Sequence, residues 1–102
     1  RIVPPDRLAA AAETLGARRG WLVADESFAD VAPEASVVGR IGDAPLIVLR
    51  SFGKFYGLAG LRLGFAVAPP AIAERIAGAL GPWAVAGPAL AVGRLALADR
   101  AW

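Results

Sequence analysis

The sequence of 102 residues lacks cysteine, histidine and methionine, and lysine supplies a single one of its eleven basic residues. Without cysteine, a disulfide framework and thiolate chemistry are excluded. Without histidine, histidine-based catalysis is excluded and a transition-metal site loses its commonest ligand, so we expect no bound metal. The net charge of +2 is small and scattered along the chain, which argues against a nucleic-acid partner.

Apolar residues, by contrast, are abundant: they make up 57% of the chain, and the mean hydropathy is +0.54. A free-standing domain of this size leaves much of its surface in water, so this bias is more typical of the interior of a larger protein. The chain also opens at Arg1 without a methionine. We therefore expect a segment of a longer protein.

One apolar stretch is long enough to raise the question of a membrane. Residues 76–93 form a run of 18 residues without a charge, near the lower limit for a spanning helix. Two prolines and four glycines interrupt this run, so we predict two buried segments that are joined at Gly81–Pro82. We expect no membrane partner and a cytoplasmic protein.

The order of polar and apolar runs predicts helices and strands in alternation. Proline in the first turn and an apolar stripe predict a first helix that begins near Pro5 and ends at Gly16 or Gly20. The later predicted elements are strands at 21–24, 46–49 and 65–68, a loop with one helical turn at 29–44, and helices at 71–80 and about 88–100. This pattern predicts an α/β fold around a largely buried sheet, in which strand 21–24 is covered on both faces.

Polar side chains follow the predicted strands at the ends where ligands collect in open α/β sheets. Asp25 comes directly after the first strand, and Ser51 and Lys54 come just past the second. Lys54 is the single lysine, and it lies in a glycine-rich turn. A desolvated lysine can lose its proton and attack a carbonyl, which arginine cannot do. We therefore predict that Lys54 is a Schiff-base lysine.

The residues around Lys54 indicate what kind of aldehyde it would hold. A pyridine cofactor works as an electron sink when its ring nitrogen is protonated, and a carboxylate such as Asp25 can keep that proton in place. A phosphate needs donors that are fixed in a turn and a fork-shaped cation, which Ser51, the glycine-rich backbone and Arg62 can supply. A carboxylate, a lysine and a phosphate clamp together predict pyridoxal phosphate.

These motifs resemble a known family. The pattern S-x-x-K-x-x-G-L-A-G-x-R-x-G at residues 51–64 resembles the lysine signature of the class I and II aminotransferase-like enzymes of fold type I. The upstream residues 23–26, V-A-D-E, match the strand that carries the pyridine-nitrogen aspartate in that family. The two motifs fall in the expected order and spacing, and the resemblance covers nearly all of the chain.

The resemblance implies a role for each candidate residue. Lys54 would be the catalytic residue that binds the aldehyde of pyridoxal phosphate, Asp25 would pair with its ring nitrogen, and Ser51 and Arg62 would hold its phosphate. It also implies that residues 1–102 are part of the large cofactor-binding domain, with a mostly parallel sheet flanked by helices. The last helix, about 88–102, would lead toward a small C-terminal domain, and the protein would be a homodimer.

Within the family, residues 50–55 and 80–89 are most similar to the threonine-phosphate decarboxylase branch of cobalamin biosynthesis. This branch implies decarboxylation of an amino-acid phosphate, L-threonine O-3-phosphate, to aminopropanol phosphate. The related histidinol-phosphate aminotransferases more often carry serine where this chain has Gly53. An aminotransferase, and a protein of this fold without turnover or an inactive fragment, remain the alternatives.

Other observations qualify these assignments. Many members of the family place a tyrosine three residues after the aspartate, whereas this chain has Phe28, which can pack but cannot donate a hydrogen bond. We expect Glu26 to be a structural partner of an arginine, Arg50 has no assigned role, and Trp83 and Phe55 are expected to pack.

A rival interpretation of the lysine turn comes from another class of enzyme. Residues 51–54 also fit the S-x-x-K pattern of serine acyl enzymes, in which the serine opens a helix. The surrounding glycines disfavour such a helix, and the companion K-T-G motif requires a second lysine that the sequence lacks.

Overall fold

The computed structural model describes residues 2–99. Within them, the α-helices and strands are α1 (Pro5–Gly16), β1 (Leu22–Asp25), β2 (Leu46–Ser51), β3 (Gly64–Val67), α2 (Pro70–Leu80) and α3 (Gly87–Ala98). Single-turn 3-10 helices occupy 29–31, 33–35, 38–40 and 59–61. The predicted order of elements is confirmed, although the loop after β1 contains three helical turns rather than one. The predicted end of the last helix, 100–102, lies outside the described residues.

Helix α1 begins and ends where the sequence signals predict. Pro5 occupies its first turn, where the missing N–H costs nothing, and Asp6 in the same turn faces the positive end of the helix dipole. Arg19, just past the helix, adopts a left-handed conformation with φ 59°. The N–H of Gly20 then donates to the carbonyl of Leu15 at 2.8 Å, and this reversal sends the chain into β1.

The three strands form one sheet in the order β1-β2-β3. Strand β1 pairs with β2 in parallel, with Asp25 opposite Leu49, whereas β3 pairs with β2 antiparallel, with Gly64 opposite Ser51. A parallel return needs a long crossover, but residues 52–63 between β2 and β3 fold back through turns and a single-turn helix. The described sheet is therefore mixed, with one parallel and one antiparallel pair.

The core lies on one face of the β1–β2 pair, beneath α1 and the loop at 29–44. Its fully buried side chains include Ala12, Val37, Leu46 and Val48. Burial of each large aliphatic side chain contributes about 1.5–3 kcal/mol. On the other face, Val23 is 54% exposed. The prediction that β1 is covered on both faces is therefore wrong within residues 2–99, because α1 and the loop cover a single face.

The C-terminal helices are apolar but largely uncovered. The predicted break at Gly81 is confirmed, since this glycine takes φ 74° and ends α2. The predicted burial of α2 is not found, because none of its residues is buried against the rest of residues 2–99. Helix α3 packs on the segment 52–63 at Gly93, where an added Cβ would clash with a methyl carbon of Leu63. Among the described residues, no helix is both long enough and apolar enough to cross a membrane.

Candidate active site

The parallel pairing of β1 and β2 brings the predicted site residues to one edge of the sheet. Asp25 is the last residue of β1 and stands opposite Leu49, two residues before Ser51 at the end of β2. Lys54 follows three residues later in a turn. Because strands that run in parallel end at the same edge, the carboxylate, the hydroxyl and the amine emerge on the same side of the fold.

Asp25 and Lys54 line the same cavity, which we call the lysine cavity. Its volume is about 790 Å³, and its wall also includes Ser27, Phe28 and Val31. Nζ of Lys54 lies 5.8 Å from the centroid of the Phe28 ring, within the range of a cation–π contact. The cavity therefore combines a carboxylate, an amine and an aromatic surface.

The carboxylate of Asp25 is held by its neighbour Ser27. The hydroxyl of Ser27 donates to Oδ1 of Asp25 at 2.6 Å, and the N–H of Ser27 donates to the same oxygen at 3.0 Å. These two bonds, together with the charge of Lys54, hold the pKa of Asp25 below its ordinary value, although partial desolvation opposes them. Asp25 is therefore ionised at neutral pH. Among the contacts of residues 2–99, Oδ2 of Asp25 is left for a ligand.

Ser51 and Arg62 line a second, smaller cavity, which we call the arginine cavity. Its volume is about 180 Å³, and it is also lined by Gly53, Ala59 and Gly64. The N–H of Gly53 donates to Oγ of Ser51 at 3.0 Å, so the hydroxyl oxygen is fixed by the turn. Nη1 of Arg62 donates to the carbonyl of Ala59 at 3.3 Å, while the rest of the exposed guanidinium stays available to an anion.

The backbone of the arginine cavity is closely packed and partly strained. A Cβ added to Gly53 would lie 3.2 Å from Oγ of Ser51, and one added to Gly64 would lie 2.9 Å from the carbonyl oxygen of Arg50. Arg62 adopts the left-handed conformation, with φ 53° and ψ 37°, which costs a residue with a Cβ about 1 kcal/mol. Glycines that leave room for a close approach, next to a residue in a strained conformation, are typical of anion-binding turns.

An ion pair with a buried carboxylate joins the two cavities, since Glu26 lines the lysine cavity and Arg50 lines the arginine cavity. Glu26 follows Asp25, Arg50 precedes Ser51, and Nε of Arg50 lies 3.2 Å from Oε2 of Glu26. The prediction that Glu26 pairs with an arginine is confirmed. Arg50 was assigned no role from the sequence, although it lies next to the site residue Ser51 as Glu26 lies next to Asp25, and this position is a signal for such a role.

Not every residue considered in the sequence lies at the site. Residues 51–54 are the end of a strand and a turn rather than the start of a helix, so the S-x-x-K arrangement of serine acyl enzymes is absent from this turn. Trp83 is 92% exposed and lines neither cavity, so its expected packing is not found within residues 2–99. Ser27 was not singled out from the sequence, because its bond to Asp25 depends on a local turn.

Comparison with known proteins gives the same family for most of the chain. Residues 1–101 match the family model for aminotransferases of class I and II. The chain is 47% identical over 100 residues to the threonine-phosphate decarboxylase of Pseudomonas aeruginosa, which covers 98% of the chain and 30% of that protein. It is 50% identical over 95 residues to a threonine-phosphate decarboxylase of Sinorhizobium sp., covering 92% and 28%.

A second group of relatives is less similar. The histidinol-phosphate aminotransferase of Sodalis glossinidius is 37% identical over 82 residues, which covers 79% of the chain and 23% of that protein. The chain therefore spans less than a third of the length of the relatives it matches.

Proposed function

This chain belongs to the class I and II aminotransferase family, and we propose that the protein is a pyridoxal-phosphate-dependent decarboxylase of L-threonine O-3-phosphate. The observation that carries the proposal is the identity of 47% and 50% to two threonine-phosphate decarboxylases, against 37% to a histidinol-phosphate aminotransferase. The product would be the aminopropanol phosphate that enters cobalamin biosynthesis. An aminotransferase remains the second candidate, because the same lysine and aspartate serve both reactions.

Pyridoxal phosphate fits the residues that are present. The ionised carboxylate of Asp25, with Oδ2 available among the described residues, suits a protonated ring nitrogen. The amine of Lys54 in the same cavity would hold the aldehyde. The hydroxyl of Ser51, the guanidinium of Arg62 and the close-packed turn backbone would hold the phosphate.

Each residue has a separate task in the proposed reaction. Bound pyridoxal phosphate supplies an electron sink, which takes up the electron pair left on Cα when the bond to the substrate carboxylate breaks. Asp25, kept ionised by Ser27, keeps the proton on the ring nitrogen. Nζ of Lys54 can carry a proton to Cα, where the proton replaces the carboxylate lost as carbon dioxide. Phe28 packs near Lys54 and gives the cofactor no hydroxyl donor.

Three further features belong to the proposal. The chain would be part of the cofactor-binding large domain, the whole enzyme would be a homodimer, and it would act in the cytoplasm. Gel filtration with light scattering of the protein expressed from its complete reading frame tests the dimer directly.

The reaction is tested with the same full-length protein. We expect visible-range absorbance from bound pyridoxal phosphate, and release of carbon dioxide from threonine phosphate without any keto-acid acceptor. The Lys54→Ala variant, in which both signals disappear, is the matched control. Glutamate-dependent turnover of an imidazole phosphate, without carbon dioxide release, would move the assignment to the aminotransferase. A full-length protein that binds no pyridoxal phosphate would contradict both candidates.

A further inference from the structure

Glu26 is the most buried charged side chain among the described residues, at 9% exposure. One of its oxygens, Oε1, accepts a bond from the N–H of Val37 at 2.6 Å. The other, Oε2, accepts a bond from the hydroxyl of Ser36 at 2.7 Å and lies 3.2 Å from Nε of Arg50. Both carboxylate oxygens are therefore fixed, and the loop at 29–44 is attached to the end of β1.

Arg50 uses all three nitrogens of its guanidinium in the same network. While Nε faces Glu26, Nη1 lies 3.5 Å from Oδ1 of Asp30 and Nη2 donates to the hydroxyl of Ser36 at 3.3 Å. The planar fork of arginine reaches three groups in fixed directions, which the single ammonium of lysine cannot do. The end of β2 is thereby joined to the end of β1 and to the loop.

Both members of the Glu26–Arg50 pair are direct neighbours of site residues. One peptide bond separates Glu26 from Asp25, and one separates Arg50 from Ser51. The backbone adds a further link, since the N–H of Glu26 donates to the carbonyl of Leu49 at 2.9 Å. The Glu26–Arg50 contact therefore adds a side-chain constraint to the backbone pairing that joins the lysine cavity to the arginine cavity.

We propose that Glu26 and Arg50 are positioning residues that set the separation between Asp25 and the phosphate-binding turn at Ser51. The inference rests on the proposed function, because it concerns a ligand that spans both cavities. Pyridoxal phosphate carries its ring nitrogen and its phosphate on one small framework, so both ends bind well together when the two protein sites have the matching separation. Glu26 lines the lysine cavity and Arg50 lines the arginine cavity, but the proposed role is exerted through Asp25 and Ser51 and needs no contact with the reacting atoms.

Stability alone is a weaker explanation of the pair. A buried ion pair is often no more stabilising than apolar side chains of similar volume, because both charges must be removed from water. An ion pair does, however, fix direction and distance, since each charge-assisted hydrogen bond has a narrow geometry. A pair that holds two strand ends in register therefore suits a positioning role better than a purely stabilising one.

The test separates binding at each end from binding at both ends together. The full-length protein is prepared without cofactor, and dissociation constants are measured for pyridoxal phosphate, for pyridoxal and for inorganic phosphate. The variants are Glu26→Gln, which keeps the acceptor for Val37 but loses the charge, and Arg50→Lys, which keeps the charge but loses the fork. The control is Arg40→Lys, in the exposed pair with Asp6.

We expect Glu26→Gln and Arg50→Lys each to raise the dissociation constant for pyridoxal phosphate roughly tenfold. This is the lower end of the effect seen when a group that orients a ligand-binding residue is removed. Pyridoxal in Arg50→Lys and inorganic phosphate in Glu26→Gln should change less than about twofold, because in each case the substituted residue lines the cavity that the ligand does not occupy. The Arg40→Lys protein should match the wild type for all three ligands.

Other outcomes would overturn the inference. If the wild type binds pyridoxal phosphate and both variants bind it equally well, the pair has no positioning role and the proposed function stands. If inorganic phosphate weakens in parallel in both variants, the pair supports the arginine cavity alone. If one variant does not fold, the other decides between these results. A wild-type protein that binds no pyridoxal phosphate overturns the proposed function, and the inference with it.

Discussion

The lysine cavity and the arginine cavity hold their charged groups in different ways. In the lysine cavity, charges of opposite sign come from two separate strand ends, Asp25 from β1 and Lys54 from the turn after β2. In the arginine cavity, Ser51 and Arg62 lie on one continuous segment that folds back on itself, and glycine backbone forms much of the wall. The first cavity depends on tertiary structure, and the second depends mainly on a local turn.

This difference assigns the chemical step to the lysine cavity and the affinity for the cofactor to the arginine cavity. An amine opposite a carboxylate has little net charge but two ionisable groups, which is the arrangement that proton transfer requires. A guanidinium with a hydroxyl and backbone N–H groups has a positive charge and several hydrogen-bond donors, which suits a phosphate. We therefore expect substitutions in the lysine cavity to change turnover, and substitutions in the arginine cavity to change the retention of cofactor.

Lys54→Ala should produce the largest effect. It removes the amine that holds the aldehyde and carries the proton, so kcat should fall by roughly a thousandfold or more. Because Ser51 and Arg62 remain in place, the dissociation constant for inorganic phosphate should stay within about twofold of the wild type. Steady-state release of carbon dioxide and phosphate titration of the cofactor-free protein measure the two quantities.

Lys54→Arg is the matched control for the charge of this residue. It keeps a positive group near Asp25 and Phe28 but cannot lose its proton, so it should be as inactive as Lys54→Ala. Substantial activity in either variant would show that Lys54 is an ordinary charged residue of a turn. A large loss of phosphate binding in Lys54→Ala would show that the two cavities are not separate in the way we describe.

Arg62→Asn should have an intermediate effect with the opposite pattern. Asparagine tolerates the left-handed conformation that Arg62 adopts, so the change removes the charge without adding strain. Charge-assisted hydrogen bonds contribute about 1.5–3 kcal/mol, so pyridoxal phosphate should bind about tenfold to a hundredfold more weakly. At saturating cofactor, kcat should stay within about threefold of the wild type.

Two controls test Arg62: a ligand without the phosphate, and a variant that keeps the charge. Pyridoxal lacks the phosphate, so its affinity should be nearly the same for the wild type and Arg62→Asn. Arg62→Lys should recover part of the affinity for pyridoxal phosphate, because a point charge remains but the fork is lost. Equal weakening of both ligands would show that Arg62 acts on the fold rather than on the phosphate.

The sequence predicted the parts of the site that depend on local signals. Asp25 and Ser51 follow apolar runs, and the rule that ligands collect at the carboxyl ends of strands was enough to place them together. The motif around Lys54 predicted the family, which the match over residues 1–101 confirms. The assignment of individual cofactor contacts stays a prediction, which the substitutions above would test.

The features that the sequence did not predict depend on contacts between distant residues and on which element packs over each face of the sheet. Ser36 lies ten residues after Glu26 and reaches it because the intervening loop folds back, and no periodicity predicts such a return. The exposed second face of β1 was also not predicted, since an apolar run indicates that a strand can be covered but not by which element. The antiparallel direction of β3 follows from how residues 52–63 turn, and their glycines allow several paths.

Ser27→Ala should have the smallest effect, and that effect should depend on pH. The hydroxyl of Ser27 is the main reason that the pKa of Asp25 lies below its ordinary value, so its removal should raise this pKa. Binding that needs the ionised carboxylate is fully present above the pKa and is lost as the pH falls through it. The variant should therefore release pyridoxal phosphate at a higher pH than the wild type, on the acid side of the titration.

At neutral pH, Asp25 is ionised in both proteins, so their affinities should differ by less than about threefold. Ser27→Thr, which keeps a hydroxyl, should lose pyridoxal phosphate at the same acid pH as the wild type. Arg62→Asn should lower affinity without moving that pH, because the bonds from Ser27 to Asp25 are unchanged. Absorbance titrations of the four proteins between neutral and acid pH measure this contrast. If Ser27→Ala releases pyridoxal phosphate at the same pH as the wild type, Ser27 has no influence on the carboxylate. If Arg62→Asn shifts this pH as much as Ser27→Ala does, the two cavities are not independent.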